Sequence, residues 1–170
     1  TLSGDQLRAM IDAQIEHQRR LHGARARHAK KRDRGPWHPH LPAVLRERPE
    51  DLVCVIGEAN AWPCNAITKR PAHPDELVQW LACRPSTGEV FEAFAAPSNP
   101  LGPNTSTHTR LPVERILSGG TVKEVLSRWE AFARPDDVWC TWGHYAASLF
   151  ARSGGPLPGQ RLDLRVLTRA

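Results

Sequence analysis

Leu52-Val53-Cys54-Val55-Ile56-Gly57-Glu58-Ala59-Asn60-Ala61-Trp62 is the stretch on which the reading of this chain turns. An apolar run leads into a glycine, then a lone carboxylate, then a small polar tail. A short apolar run rich in valine and isoleucine reads as a buried strand, expected over about residues 52–57. Such a strand delivers Glu58 to the rim of a sheet. Two positions earlier, and so on the same face of the strand, stands Ile56, a side chain without an oxygen.

Working outward, Glu76 to Arg84 and Glu89 to Ala95 are two strand-like runs joined by Pro85-Ser86-Thr87-Gly88, a hairpin signal. Residues 97–111, rich in Pro, Asn, Thr and Ser, read as a long surface loop. Thr121-Val122-Lys123-Glu124 is a capping box. It opens a helix with Val122, Val125, Leu126, Trp129 and Phe132 at helical spacing, closed by Pro135. Asp137 to Trp142 reads as a buried strand, and Gly143 turns it into a short helix bearing Tyr145, Leu149 and Phe150. Leu162, Leu164 and Val166 then alternate as a brief strand. A helix between the hairpin and the 137–142 strand predicts a crossover connection, and hence an α/β domain with a mixed sheet covered by helices.

The chain of 170 residues is long enough for one well-buried core plus an appendage, and six Trp and four Phe supply bulky core material. No apolar run approaches the roughly 18 residues that span a bilayer. The four cysteines, Cys54, Cys64, Cys83 and Cys140, show neither a C-x-x-C pair nor a zinc spacing. Buried reduced thiols in a cytoplasmic protein are the expectation.

The net charge of +5 is unevenly placed. Residues 1–48 carry 11 Lys and Arg against 5 Asp and Glu, while residues 49–170 carry 12 against 13. The basicity therefore belongs to an N-terminal appendage, taken as residues 1–48, and the α/β domain to residues 49–170. Within the appendage, residues 3–22 read as an amphipathic helix. Ser3 and Gln6 form a capping box, Leu7, Met10, Ile11 and Ile15 hold one face, and Gly23 ends it. Residues 24–35 form a basic arm, and Pro36 to Pro42 continue it as a proline-stiffened segment. Arg19, Arg20, Arg25, Arg27, Lys30, Lys31, Arg32 and Arg34 are candidate phosphate contacts, with Trp37 and His38 placed to stack on bases. The bland alternative is a solvated linker kept extended by its charge. The chain opens on Thr1 rather than Met, so a longer natural protein is expected.

From Leu52 to Arg165 the residues resemble the DEDD exonuclease group of the ribonuclease H-like fold. The segment Val53 to Trp62 looks like the family's Asp-x-Glu strand. Ser86 to Phe91 followed by Phe94 looks like its second and third strands. Pro100-Leu101 followed by His108 to Leu111 stands where the family has a Leu-Thr-Gly-Ile loop. Trp142-Gly143-His144-Tyr145 followed by Leu149 looks like its second acidic motif, and Leu162-Asp163-Leu164 like the segment after it. The resemblance implies a sheet flanked by helices and two magnesium or manganese ions held between carboxylates. Carried over residue by residue, it leaves Glu58 as the retained acid. Ile56 replaces the first aspartate, Ala146 stands where the helix aspartate is expected, and the third motif would lie beyond Ala170. The implied reading is a catalytically degenerate module with no cofactor, the metal ions being required only if the domain is an active nuclease with unusual ligands. Asp163 reads as a turn or cap residue, and His108 and His144 need no catalytic explanation.

A second resemblance covers about thirty residues. Leu7 to Gln14 with the Arg/His-rich tail is similar to the C-terminal end of DTW-domain proteins, which transfer an aminocarboxypropyl group to uridine in tRNA. It implies that these residues are the rear part of a fusion. The expected function is RNA binding, tRNA-like in target, or protein contact. The alternatives are an accessory part of a tRNA-modifying transferase and an active 3′–5′ exonuclease.

Overall fold

In the computed structural model, residues 42–167 are described. The expected helix at 3–22, the basic arm, Trp37 and the DTW-like segment lie outside them. A short helix α1 (Val44–Glu47) and a 3-10 turn at Pro49–Asp51 lead into β1 (Leu52–Asn60). There follow β2 (Glu76–Cys83), β3 (Val90–Phe94), α2 (Thr105–Thr109), α3 (Val113–Leu117) and α4 (Val122–Phe132). The domain continues with β4 (Val138–Thr141), α5 (Tyr145–Arg152), β5 (Gln160–Asp163) and α6 (Leu164–Leu167).

The five strands form one mixed sheet in the order β3-β2-β1-β4-β5. β1 sits at the centre, antiparallel to β2 and parallel to β4, and β5 runs parallel to β4. The α/β sheet with flanking helices is thus as expected, and the hairpin of β2 and β3 is in place. The crossover carrying α4 runs from the β3 edge past β2 to the far side of β1.

Three local expectations need correction. β1 is not buried throughout. Val53, Val55 and Gly57 are covered, whereas Ile56 is 52% exposed, because the helices that pack on the sheet face the odd-numbered residues. The 97–111 loop holds α2, and α3 follows it, since Pro112 starts a helical turn that buries Ile116. The last apolar residues are split between β5 and α6, because the Asp163 carboxylate accepts the amides of Gly143 (2.8 Å) and Arg165 (3.0 Å) and opens a helix there.

The capping box of α4 forms as expected. Thr121 Oγ1 accepts the Glu124 amide at 3.2 Å, and the Glu124 carboxylate accepts the Thr121 amide at 2.6 Å. The helix then lays Val125 and Trp129 on the sheet. The core there is aromatic. Trp80 of β2 stacks on Phe150 of α5 at 4.3 Å between centroids, and Trp129 and Trp139 stand edge-on or tilted to it at 5.6 and 5.4 Å. Phe91 of β3 closes the cluster against Trp129 at 5.3 Å. One side chain from each of five elements meets in this box, so the sheet and both long helices lock together.

The hairpin end is fastened differently. Arg84, fully buried, makes a bidentate pair with Asp137, at the mouth of β4. The same guanidinium donates to the Phe132 carbonyl at 3.0 Å and lies 4.8 Å over the Phe132 ring. Asp137 also accepts the Arg134 amide at 2.8 Å. The pair joins the β2–β3 turn to the junction of α4 and β4 through charges with several donors and acceptors satisfied. Removing one partner strands the other charge in the interior. Asp137→Ala is therefore expected to lower unfolding free energy by about 3–5 kcal/mol. Urea denaturation giving an unchanged midpoint would show that water reaches Arg84.

Candidate functional site

Parallel strands at the centre of a sheet bring their carboxyl ends to one rim, and here those are the ends of β1 and β4. Glu58 stands near the end of β1. Next to it in sequence, Gly57 allows α5 to approach. A Cβ on Gly57 would stand 3.0 Å from Trp80 Cζ3 and 3.5 Å from the Ala146 Cα. Position 146 thus packs against Gly57, on the face of β1 opposite the one that Ile56 and Glu58 share. A bulge at this point adds to the effect. Glu58 pairs with Gln79 but Ala59 pairs with Leu77, so Val78 is the extra residue of β2 and the strand bends there.

Glu58 itself is half-buried, and burial raises its pKa above the ordinary carboxylate value. Among the described residues no amide or side chain hydrogen-bonds to it. Other acids of the domain do accept backbone bonds. Glu76 accepts the amides of Ser98 (2.9 Å) and Asn99 (3.1 Å), and Asp163 holds Gly143 and Arg165. Burial works against the Asp163 charge, but those two amides and the neighbouring Arg165 and His144 bring its pKa below the usual range. Its second oxygen faces His144 Nε2 at 3.8 Å.

Beside Glu58 lies a group that sequence reasoning missed. The Tyr145 hydroxyl donates to Asp75 Oδ2 at 2.8 Å, and the same oxygen lies 3.7 Å from Arg152 Nη2. Burial, then the Asp75 hydrogen bond and charge, and in smaller part Glu58, push the Tyr145 phenol far above its ordinary pKa. It is a fixed donor, held in its protonated form. Asp75 precedes β2 in a stretch with no periodic signal, and its partners come from the far end of the chain, so no sequence pattern could pair them.

Two further observations define the rim. Trp142, 66% exposed, follows β4, where continued pairing would set it beside Ile56. Fully buried Asn60 pins the loop behind the rim. It donates to Glu76 (3.2 Å) and the Pro100 carbonyl (3.0 Å), and accepts from Gly102 (2.8 Å) and Thr105 (2.9 Å). Trp62 donates to the same Pro100 carbonyl at 3.2 Å. His108 is exposed on α2.

The residues present do not fit the two-ion site of the resemblance. Ile56 and Ala146 offer no oxygen, Asp75 is engaged by Tyr145 and Arg152, and among the described residues Glu58 is the retained acid. Among the described residues no group of three or more His, Cys, Asp or Glu side chains could hold a metal ion. Nor is any of their helices long and apolar enough to cross a membrane.

Solved structures similar to part of this chain include three nucleases. The crystal structure of cell-death related nuclease 4 (CRN-4) is 16% identical, with a TM-score of 0.48, over 62% of this chain and 39% of its own. The nuclease domain of 3'hExo, a DEDDh family member bound to rAMP, is 15% identical at 0.47, over 64% and 62%. Exonuclease X in complex with 5' overhanging duplex DNA is 10% identical at 0.41, over 64% and 56%. The fold is ribonuclease H-like. That rests on the strand order and directions, to which likenesses this distant add nothing, and no activity or substrate passes with them. The chain spans 39–62% of the lengths of these structures. No protein-family model matches the chain, and no curated protein matches it by sequence.

The electrostatics of Glu58 make a measurable claim. Its raised pKa means that the folded state keeps the proton to higher pH than the unfolded chain does. The favourable contribution is full below the ordinary carboxylate pKa and is lost as pH rises through the folded value. Glu58→Gln, uncharged and of the same shape, should be the more stable protein at neutral pH, with a flatter stability profile from acid to neutral. Identical urea midpoints for the two at pH 7 would show that Glu58 is fully solvated.

Proposed function

We propose that this chain is a catalytically degenerate exonuclease-fold module that binds single-stranded RNA in the cytoplasm. One observation carries the loss of catalysis. Near the end of β1, Ile56 stands on the same face as Glu58, Ala146 packs on the other face against Gly57, and among the described residues no hydrogen-bond partner reaches the Glu58 carboxylate. Two-ion phosphoryl transfer needs convergent oxygens on two cations, and one carboxylate supplies too few.

Binding is supported by the pattern of charge. The described body is close to neutral, so an electrostatic grip on phosphates falls to Arg19, Arg20, Arg25, Arg27, Lys30, Lys31, Arg32 and Arg34. Arginine outnumbers lysine there, which suits the bidentate recognition of phosphate oxygens. The folded body, taken by itself, offers surfaces on which bases stack. Trp142 and Tyr145 are both exposed, and an aromatic face stacks on any base. Lacking a second acid beside it, Glu58 repels phosphate weakly, and Ile56 adds an apolar surface.

Two experiments test the halves separately. Affinity of the full chain for a single-stranded RNA oligomer, followed by fluorescence anisotropy, should fall steeply with salt. Replacing Arg25, Arg27, Lys30 and Lys31 by Ala should weaken it regardless of oligomer sequence. Trp142→Ala should weaken it without changing the salt slope. Binding independent of salt, or absent, rejects the RNA reading. For catalysis, the chain incubated with the same RNA and manganese should leave 3′ ends untouched, equally so for Glu58→Gln. Trimming that Glu58→Gln abolishes would establish the active-nuclease alternative instead.

A further inference from the structure

Cys83, Cys54 and Cys140 form a row across three adjacent strands. The β1–β2 pairing sets Cys54 opposite Cys83, and the β1–β4 pairing sets it beside Cys140. Residues paired this way project from the same face. The odd-numbered residues of β1 carry the core, so the three thiols lie on the face away from α4 and α5. Neighbouring strands lie roughly 4.7–4.9 Å apart. That separation falls within the Cα range of disulfides, about 4.4–6.8 Å. All three are free thiols. Cys54 and Cys83 are half-buried and Cys140 is buried.

The two neighbours of Cys54 are not equivalent. Cys140, and not Cys83, is the neighbour whose thiol can donate to the Cys54 thiolate. The other acceptor near Cys140, the Val138 carbonyl, is a poor one at 3.9 Å. That thiol–thiol bond, opposed by burial, brings the Cys54 pKa down to about 7. The same bond, with burial and the Cys54 charge, pushes Cys140 up. One sulfur is reachable and partly ionised, while its partner is enclosed and protonated. Nucleophilic attack on an oxidant requires the first condition, and condensation with the product requires a thiol already in contact.

We propose that Cys54 is a peroxide-reactive cysteine resolved by Cys140, forming a disulfide that staples β1 to β4. The Cys54 thiolate attacks one oxygen of hydrogen peroxide. The O–O bond breaks, and the departing hydroxide takes a proton to leave as water. Cys54 is then a sulfenic acid. The Cys140 sulfur, giving up its proton, attacks the Cys54 sulfur. The S–O bond breaks, and the hydroxyl leaves with that proton as a second water. Two thiols have lost two electrons and two protons, and one peroxide has become two waters. Cys83, on the other side of Cys54, is not bonded to it in this way. Exposed Cys64, outside the row, serves as an internal control for simple accessibility.

The linkage would tie the two parallel strands whose ends carry Glu58 and Trp142. It is independent of whether the rim binds RNA. The test uses the full reduced chain treated with dilute hydrogen peroxide, then alkylated and digested without reductant for mass spectrometry. The expected product is a Cys54–Cys140 cross-linked peptide, with the intact chain lighter by two hydrogen atoms. Cys54→Ser should lose it completely, and Cys83→Ser should retain it. Cys140→Ser should leave a Cys54 sulfenic acid that dimedone captures. The wild-type peptide map reads the outcome even if a variant fails to fold. A cross-link between Cys54 and Cys83, oxidation confined to Cys64, or no loss of free thiol at Cys54 overturns the proposal.

Discussion

The contact between Gly57 and Trp80 is the constraint on which this domain depends. Trp80 fills the centre of the aromatic box, and its ring crosses β1 where β1 has no side chain. A methyl group at position 57 would meet the ring at about van der Waals contact or closer, since an ideal Cβ lies 3.0 Å from it. The same gap lets the first turn of α5 settle on the strand beside Ala146. The core and the rim are thus two results of one missing side chain. Packing decides where the candidate site stands before any polar group is considered.

Within that frame the polar residues divide into two kinds. Arg84, Asp137, Asn60, Glu76 and Asp163 are surrounded by partners and hold segments together. Most of their polar atoms are paired, Arg84 Nε and Asp163 Oδ2 being the exceptions, and paired buried groups specify geometry at little net cost in stability. Glu58 differs from all of them: among the described residues no hydrogen-bond donor reaches its carboxylate. Desolvation without compensation is unfavourable, and stability alone gives no reason to keep an acid there. The adjoining Tyr145–Asp75–Arg152 group shows that the surroundings can supply partners, but it supplies them to another carboxylate.

Much of the architecture was legible in the sequence because its strongest elements carry local signals. The capping box at Thr121 and Glu124 and the periodic apolar residues after it specify α4 without tertiary help. Pro85 to Gly88 specify the hairpin, and Gly88 takes the positive φ of 74° that its turn requires. What could not be read depends on distant partners. α2 and α3 sit in a stretch of loop composition, and Thr105 is fixed there by Asn60, far away in sequence. The burial of Arg84 contradicts its residue type until Asp137 is placed against it. Leu164 and Val166 alternate with polar residues as a strand would, yet Asp163 caps the chain into a helix first.

The central position of β1 also sets an order of events on the ribosome. Its antiparallel partner β2 follows soon in the sequence, but the strand on its other side, β4, is made only after the hairpin, α2, α3 and α4. Until then the edge of β1 from Leu52 to Cys54 that β4 will cover offers unpaired amides and carbonyls to any passing strand. A nascent chain with such a vacancy is exposed to intermolecular pairing for the time that synthesis of the intervening residues takes. The topology that assembles the rim in the finished domain therefore makes translation speed and chaperone access determinants of its yield.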